Sequence, residues 1–186
     1  MGKVYAFIAD GSEEVELLAV VDILKRGGQD VILVSVTGKR DVISAHHIKI
    51  QADYEFSEVD CKEADVLFLP GGMPGTKNLG AHEGLLKSLK QAHRENRRIG
   101  AICAAPSILG NLGILDGKKA TCYPGFEPEL KGALYTKQGV VTDGNITTAR
   151  GLGYALDMGI ELLALLTDRD HARKMKEAIQ YDHISV

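Results

Sequence analysis

Cysteine is scarce in this chain, and no two cysteines are spaced as a pair. Cys61, Cys103 and Cys122 are the three, with no C-x-x-C among them. An odd count without metal-ligand spacing argues against a disulfide framework and a cysteine zinc site, and it fits a reducing compartment. Basic charge is not in excess either: 22 Lys and Arg stand against 25 Asp and Glu, for a net charge of −3. No basic stripe marks a nucleic-acid partner, and no polybasic segment marks an anionic membrane. No apolar run approaches the ~20 residues of a membrane span. The start, Met1-Gly2-Lys3, enters an apolar run without the basic region and cleavage site of a secretory signal. These absences point to a cytoplasmic protein. None of the six histidines (His46, His47, His82, His93, His171, His183) has H-E-x-x-H spacing, so all read as surface residues and no metal is expected.

What is present reads as one α/β domain. At 186 residues, the chain fits a single domain over 1–186, since about 150 residues is a common domain length. Such a domain buries roughly 70% of its unfolded surface and needs no staples. Val4–Ala9, Val31–Val36, Val66–Leu69 and Ile99–Ile102 are apolar without alternation, as strands buried on both faces are. Helical stretches fall between them: Val15–Gly27, Glu83–Arg97 and Pro106–Leu112. Strand alternating with helix predicts a parallel sheet with helices on both faces. A strand pair, Gly139–Thr142 and Ile146–Ala149, flanks the turn signal Asp143-Gly144-Asn145. Leu152–Leu166 and a last helix to about Gln180 follow, the latter opened by a capping box at Thr167-Asp168-Arg169-Asp170. The first helix is apolar nearly all round. Val15, Leu18, Ala19 and Ile23 make one stripe, and Leu17, Val20, Val21 and Leu24 make another. One stripe can face the sheet; the other is expected to meet a second copy in a homodimer.

Three segments carry candidate chemistry. In Gly100-Ala101-Ile102-Cys103-Ala104-Ala105-Pro106 a buried strand ends at a cysteine and a helix begins at once, with Pro106 in its first turn. Small neighbours suit a sharp elbow, the mechanics of the G-x-S-x-G turn with cysteine in the serine slot. The helix start is expected to favour thiolate. The second segment, Asp10-Gly11-Ser12-Glu13-Glu14-Val15-Glu16, follows the first strand. Both lie at carboxyl ends of strands, where sites form in open parallel sheets. Of the three glutamates one is expected inward, and Glu16, a turn into the helix, is best placed. A carboxyl beside a thiolate repels it, so the pair titrates jointly with the Glu16 pKa raised. The third segment is Pro70-Gly71-Gly72-Met73-Pro74-Gly75. Gly72 and Ala104 N–H groups aimed at one point would make an oxyanion hole. No cofactor is expected. Gly151-Leu152-Gly153 lacks the third glycine of a dinucleotide fingerprint, Leu156 standing in its place, and the acidic first loop would repel a flavin phosphate.

G-S-E-E-V-E, L-P-G-G, A-I-C-A-A-P and T-T-A-R-G-L-G-Y, in that order, closely resemble the ThiJ/PfpI superfamily, in the branch of the parkinsonism-associated protein deglycase. The resemblance runs from Lys3 to about Lys176. It implies a flavodoxin-like, class I glutamine amidotransferase-like fold and a homodimer through the first-helix region. Cys103 matches the family's nucleophilic, oxidation-sensitive cysteine. Glu16 matches the protonated glutamate that hydrogen-bonds it. Gly72 and Ala104 match residues whose N–H groups face the site, and Arg26 an arginine near the partner's site. The implied function is cofactor-free stress protection: glyoxalase or deglycase chemistry on glyoxal, methylglyoxal and their early adducts. The alternatives are oxidation of Cys103 to sulfinate as a sensor, or chaperoning. Two positions depart from the pattern. Tyr123, in Thr121-Cys122-Tyr123-Pro124, holds the usual histidine slot, and a phenol titrating near ~10 is a poor base at neutral pH. His46 stands where the deglycase has an arginine.

Overall fold

The structure is a computed structural model and describes residues 1–181. Eleven strands and six helices follow one another in it. The first half holds β1 (Lys3–Ile8), α1 (Glu14–Arg26), β2 (Asp30–Ser35), β3 (Asp41–Ile43), β4 (Lys49–Gln51), β5 (Tyr54–Glu55), β6 (Val66–Leu69), α2 (Gly75–Ala81) and α3 (Glu83–Arg94). The second half holds β7 (Arg98–Ile102), α4 (Pro106–Asn111), β8 (Lys119–Ala120), β9 (Leu134–Tyr135), β10 (Val140–Asp143), β11 (Ile146–Ala149), α5 (Ala155–Leu166) and α6 (Arg169–Ala178). Seven strands form the main sheet in the order β10-β11-β7-β6-β1-β2-β5. Every pairing in it is parallel except β10 with β11. The sheet, with helices around it, has the flavodoxin-like architecture that the family resemblance implies.

The uninterrupted apolar runs arise because the central strands are covered twice. Successive side chains of a strand point to opposite faces. Val4, Ala6 and Ile8 therefore enter one core with residues of α1, α5 and α6. Tyr5, Phe7 and Ala9 enter the other with residues of α2, α3 and α4. β2 departs from the expectation of full burial: Ile32 and Leu33, like Val36 just beyond its end, are only half-buried. Its outer neighbour is the two-residue edge strand β5, too short to cover it.

The first helix turns its second stripe inward. Leu17, Val20, Val21, Ile23 and Leu24 are buried, whereas Val15 and Leu18 are exposed. α5 packs closely on this helix because Gly159 has no side chain; a Cβ there would lie 2.9 Å from Ile23. α1 ends where Gly27 N–H bonds to the Ile23 carbonyl and Gly28 turns at φ 77, a glycine exit from a helix. The predicted hairpin is present, with Asp143 paired to Ile146 across Gly144-Asn145, and β11 continues the main sheet beside β7.

Several boundaries differ from the sequence expectation. The third helix ends at Arg94, and the chain leaves it through Asn96 at φ 56. The cap of α6 is Asp168, whose Oδ1 accepts the His171 N–H at 2.8 Å. Thr167, predicted to open the capping box, instead donates its hydroxyl to the Leu163 carbonyl at 2.7 Å, closing α5. α2 and the β3–β4 hairpin carry no strong periodicity and went unpredicted.

Candidate active site

Cys103 follows the last residue of β7 and is the turning point of the elbow. Its φ is 63, a left-handed conformation that costs a side-chain-bearing residue about 1–2 kcal/mol. The turn is held on both sides. Cys103 N–H donates to the Ala149 carbonyl at 2.9 Å, and the Cys103 carbonyl accepts the Tyr123 N–H at 2.8 Å. Pro106 then starts α4. The forced turn lifts the half-buried thiol out of the strand, above the carboxyl edge of the sheet.

β1 and β7 are separated by β6, so the acidic turn, the Pro-Gly-Gly turn and the elbow converge at one edge. Glu16 is 1% exposed. Its carboxyl lies beside the Cys103 thiol and near the Leu152 backbone, and its Oε2 accepts the Gly71 N–H at 3.0 Å. Gly71 is required by crowding: a Cβ there would lie 2.6 Å from both Cys103 Cβ and Glu16 Oε2. Gly72 turns at φ 88, and a Cβ on it would lie 2.4 Å from the Glu13 nitrogen. The backbone N–H groups of Ala104 and Gly72 lie on the Cys103 sulfur side of the site and favour its charged form.

Burial dominates the electrostatics. It pushes the Glu16 carboxyl up to about 7, with the Glu13 charge adding, against the lowering influence of the Cys103 thiol and the Gly71 and Leu152 backbone. Burial and then Glu16 push the Cys103 thiol up to about 12, against the N–H groups of Ala104 and Gly72. The sequence expectation that the helix start favours thiolate is therefore outweighed. Desolvation and a neighbouring carboxylate act on the same atom and are the stronger influences. Below about 7 the pair holds two protons and no charge, and between about 7 and about 12 it shares one proton and one negative charge.

All three glutamates of the turn are buried: Glu13 at 8%, Glu14 at 7% and Glu16 at 1% exposure. The sequence reading placed only one inward. The unpredicted β3–β4 hairpin is the reason, since its tip folds over the helix start and brings His46 Nδ1 within 2.8 Å of Glu14 Oε1. Glu13 caps α1, its Oε2 accepting Glu16 N–H at 2.6 Å. Tyr123 is 50% exposed. Its ring lies over Gly151, and its backbone N–H, not its hydroxyl, supports the elbow. Arg26 is at the far end of α1, exposed and paired with Asp22 at 2.6 Å. His46, His47 and His171 are exposed, whereas His82 and His93 are half-buried. His82 departs from the surface reading because it caps α3 and stacks edge-on against Phe56. His183 lies outside the described residues.

The model of the DJ-1/PfpI family matches residues 2–165. A relative from Arabidopsis thaliana, protein DJ-1 homolog B, is 33% identical over 92% of this chain. The chain spans less than half the length of the Arabidopsis relatives it matches, 39% in that case. A deglycase of Pyrococcus abyssi is 33% identical over 80% of this chain and 89% of its own length. Oxidized DJ-1 of Toxoplasma gondii has the same fold, with a TM-score of 0.94, 29% identity, and coverage of 98% of this chain and 100% of that one. A match extending from β1 almost through α5 takes in the sheet, the elbow and both turns that meet it, and the chain belongs to the DJ-1/PfpI family.

Proposed function

We propose that the protein is a cysteine-dependent, cofactor-free stress-protection enzyme with glyoxalase or deglycase activity on glyoxal, methylglyoxal and their early adducts. The observation that carries this reading is a thiol on a strained elbow flanked by a buried carboxyl and two backbone N–H groups that favour its charged form. The deglycase relative supports the substrate class. Glu16 carboxylate takes the Cys103 thiol proton as the sulfur adds to the aldehyde carbon, forming a C–S bond while the carbonyl pair moves to oxygen. Gly72 and Ala104 N–H groups stabilise that oxygen, and the Glu16 carboxyl protonates it. Glu16 carboxylate then removes the proton from the former aldehyde carbon, and an enediol-like species forms. Reprotonation at the neighbouring carbon leaves a thioester, which water cleaves to lactate and free thiol. The sum is methylglyoxal plus water to lactate, with no external oxidant. Tyr123 supplies no base, so Glu16 moves each proton.

The test is hydroxy-acid formation by purified protein given methylglyoxal. Lactate from the wild type and none from Cys103→Ala is expected; equal yields from both, or none from either, would end this reading. Oxidation of Cys103 is the second reading, favoured by the same N–H donors. Two peroxide molecules convert the thiolate to sulfinate and release two waters, with Glu16 and the amides holding the product. Mass spectrometry after mild peroxide decides it: two oxygens at Cys103 support a sensor, and first oxidation at Cys61 or Cys122 argues against one. We place the protein in the cytoplasm as a homodimer across α1, where Val15 and Leu18 are 47% and 41% exposed. Arg26 then faces the second copy.

A further inference from the structure

A second cluster lies beside the cysteine site, at the junction of the helix start and the β3–β4 hairpin. Glu13, Glu14 and His46 each direct one ligand atom into it, and these atoms all lie within 4.8 Å of one another. Glu14 Oε1 is 2.8 Å from His46 Nδ1, and Glu13 Oε1 is 3.9 Å from it. Glu13 uses its other oxygen as the helix cap, which leaves Oε1 for the cluster.

A second observation points to a ligand. Glu14 is 7% exposed, yet its Oε2 is buried and has no hydrogen-bond partner. The Ser44 hydroxyl is near enough to favour the charged carboxylate but completes no hydrogen bond to Oε2. Buried carboxylate oxygens are nearly always satisfied, and an unpaired one calls for a water or an ion. The third ligand is held in place. Ala45 N–H donates to the Ser12 carbonyl and Gly11 N–H to the Ile43 carbonyl, both at 2.8 Å, which pins the hairpin tip beside the helix.

We propose that Glu13, Glu14 and His46 bind a late first-row divalent cation of the zinc(II) or copper(II) class. One imidazole with two carboxylates suits these ions, whereas magnesium and calcium prefer all-oxygen sets. The His46 side chain is 69% exposed, so the open coordination positions face solvent and the ion has a path in. Binding replaces the contact between Nδ1 and Glu14 Oε1 with coordination of both atoms to the cation. His46 lies 32 residues from Glu14 in sequence, which is why no ligand spacing announces the site.

The experiment is zinc titration calorimetry on the full-length Cys103→Ala protein, where the reactive thiol cannot be the ligand. One equivalent bound is expected. His46→Ala and Glu14→Gln should each weaken binding by at least about tenfold. Copper(II) should show nitrogen coupling in its electron paramagnetic resonance spectrum, lost in His46→Ala. No zinc bound by Cys103→Ala, or an affinity unchanged in both variants, would overturn the proposal. His46 is exposed, so its variant tests the ligand and not the fold.

Discussion

Replacing Glu16 with Gln should change how stability depends on pH, by an amount the structure sets. In an unfolded chain the carboxyl titrates near 4.5, and in the folded protein burial holds it up to about 7. Below the lower value both states bind the proton, and the group imposes no penalty. Between the two values the unfolded chain releases its proton while the folded one keeps it, so the wild type loses stability as pH rises. Above about 7 the loss is complete and constant. The interval corresponds to about 3 kcal/mol, a large part of a typical total of 5–15 kcal/mol. Gln keeps an oxygen for the Gly71 N–H and carries no charge. Urea unfolding of wild type and Glu16→Gln across this range, in chelating buffer, gives the stability difference directly. It should shift by about 3 kcal/mol toward the variant as pH rises. Because burial is the first cause, the shift should persist when both proteins also carry Cys103→Ser. A difference that stays flat with pH would refute the reasoning, since a carboxyl that ionises freely in place is not desolvated.

The elbow itself is testable. Cys103 at φ 63 should make Cys103→Gly more stable than Cys103→Ala by about 1 kcal/mol in urea unfolding; equal stabilities would mean an unstrained turn. Gly71→Ala puts a methyl 2.6 Å from Cys103 Cβ and Glu16 Oε2. It should cost about 1–3 kcal/mol in stability and abolish lactate formation, and an unchanged melting temperature with full activity would show spare room. Tyr123→Phe should leave lactate formation unchanged, because that residue's backbone N–H holds the elbow; a loss of activity would assign the hydroxyl a part.

Much of the site was legible because its parts are local. Cys103 announces itself through small neighbours and Pro106 directly after a buried strand, a pattern that a sharp strand-to-helix turn demands. Glu16 was legible from its place one turn into a helix at a strand's carboxyl end. Other features gave no such signal. His46 reaches Glu14 only because two three-residue strands, β3 and β4, form a hairpin over the helix start. Strands that short carry too little periodicity to read. The inward stripe of α1 was illegible for another reason. Both stripes are apolar, and the choice between them depends on where α5 lies.

Sequence alone determined the α/β class and the cysteine elbow, and the family resemblance sets Tyr123 where a histidine is usual. These follow from strand burial, turn sterics and residue identity, each fixed within a few neighbouring positions. Only the tertiary structure decided the electrostatics. Desolvation depends on what the rest of the chain piles over a group. The fold buries Glu16 almost completely beside Cys103 and raises both groups. The local helix start, which by itself favours thiolate, is outweighed by that burial.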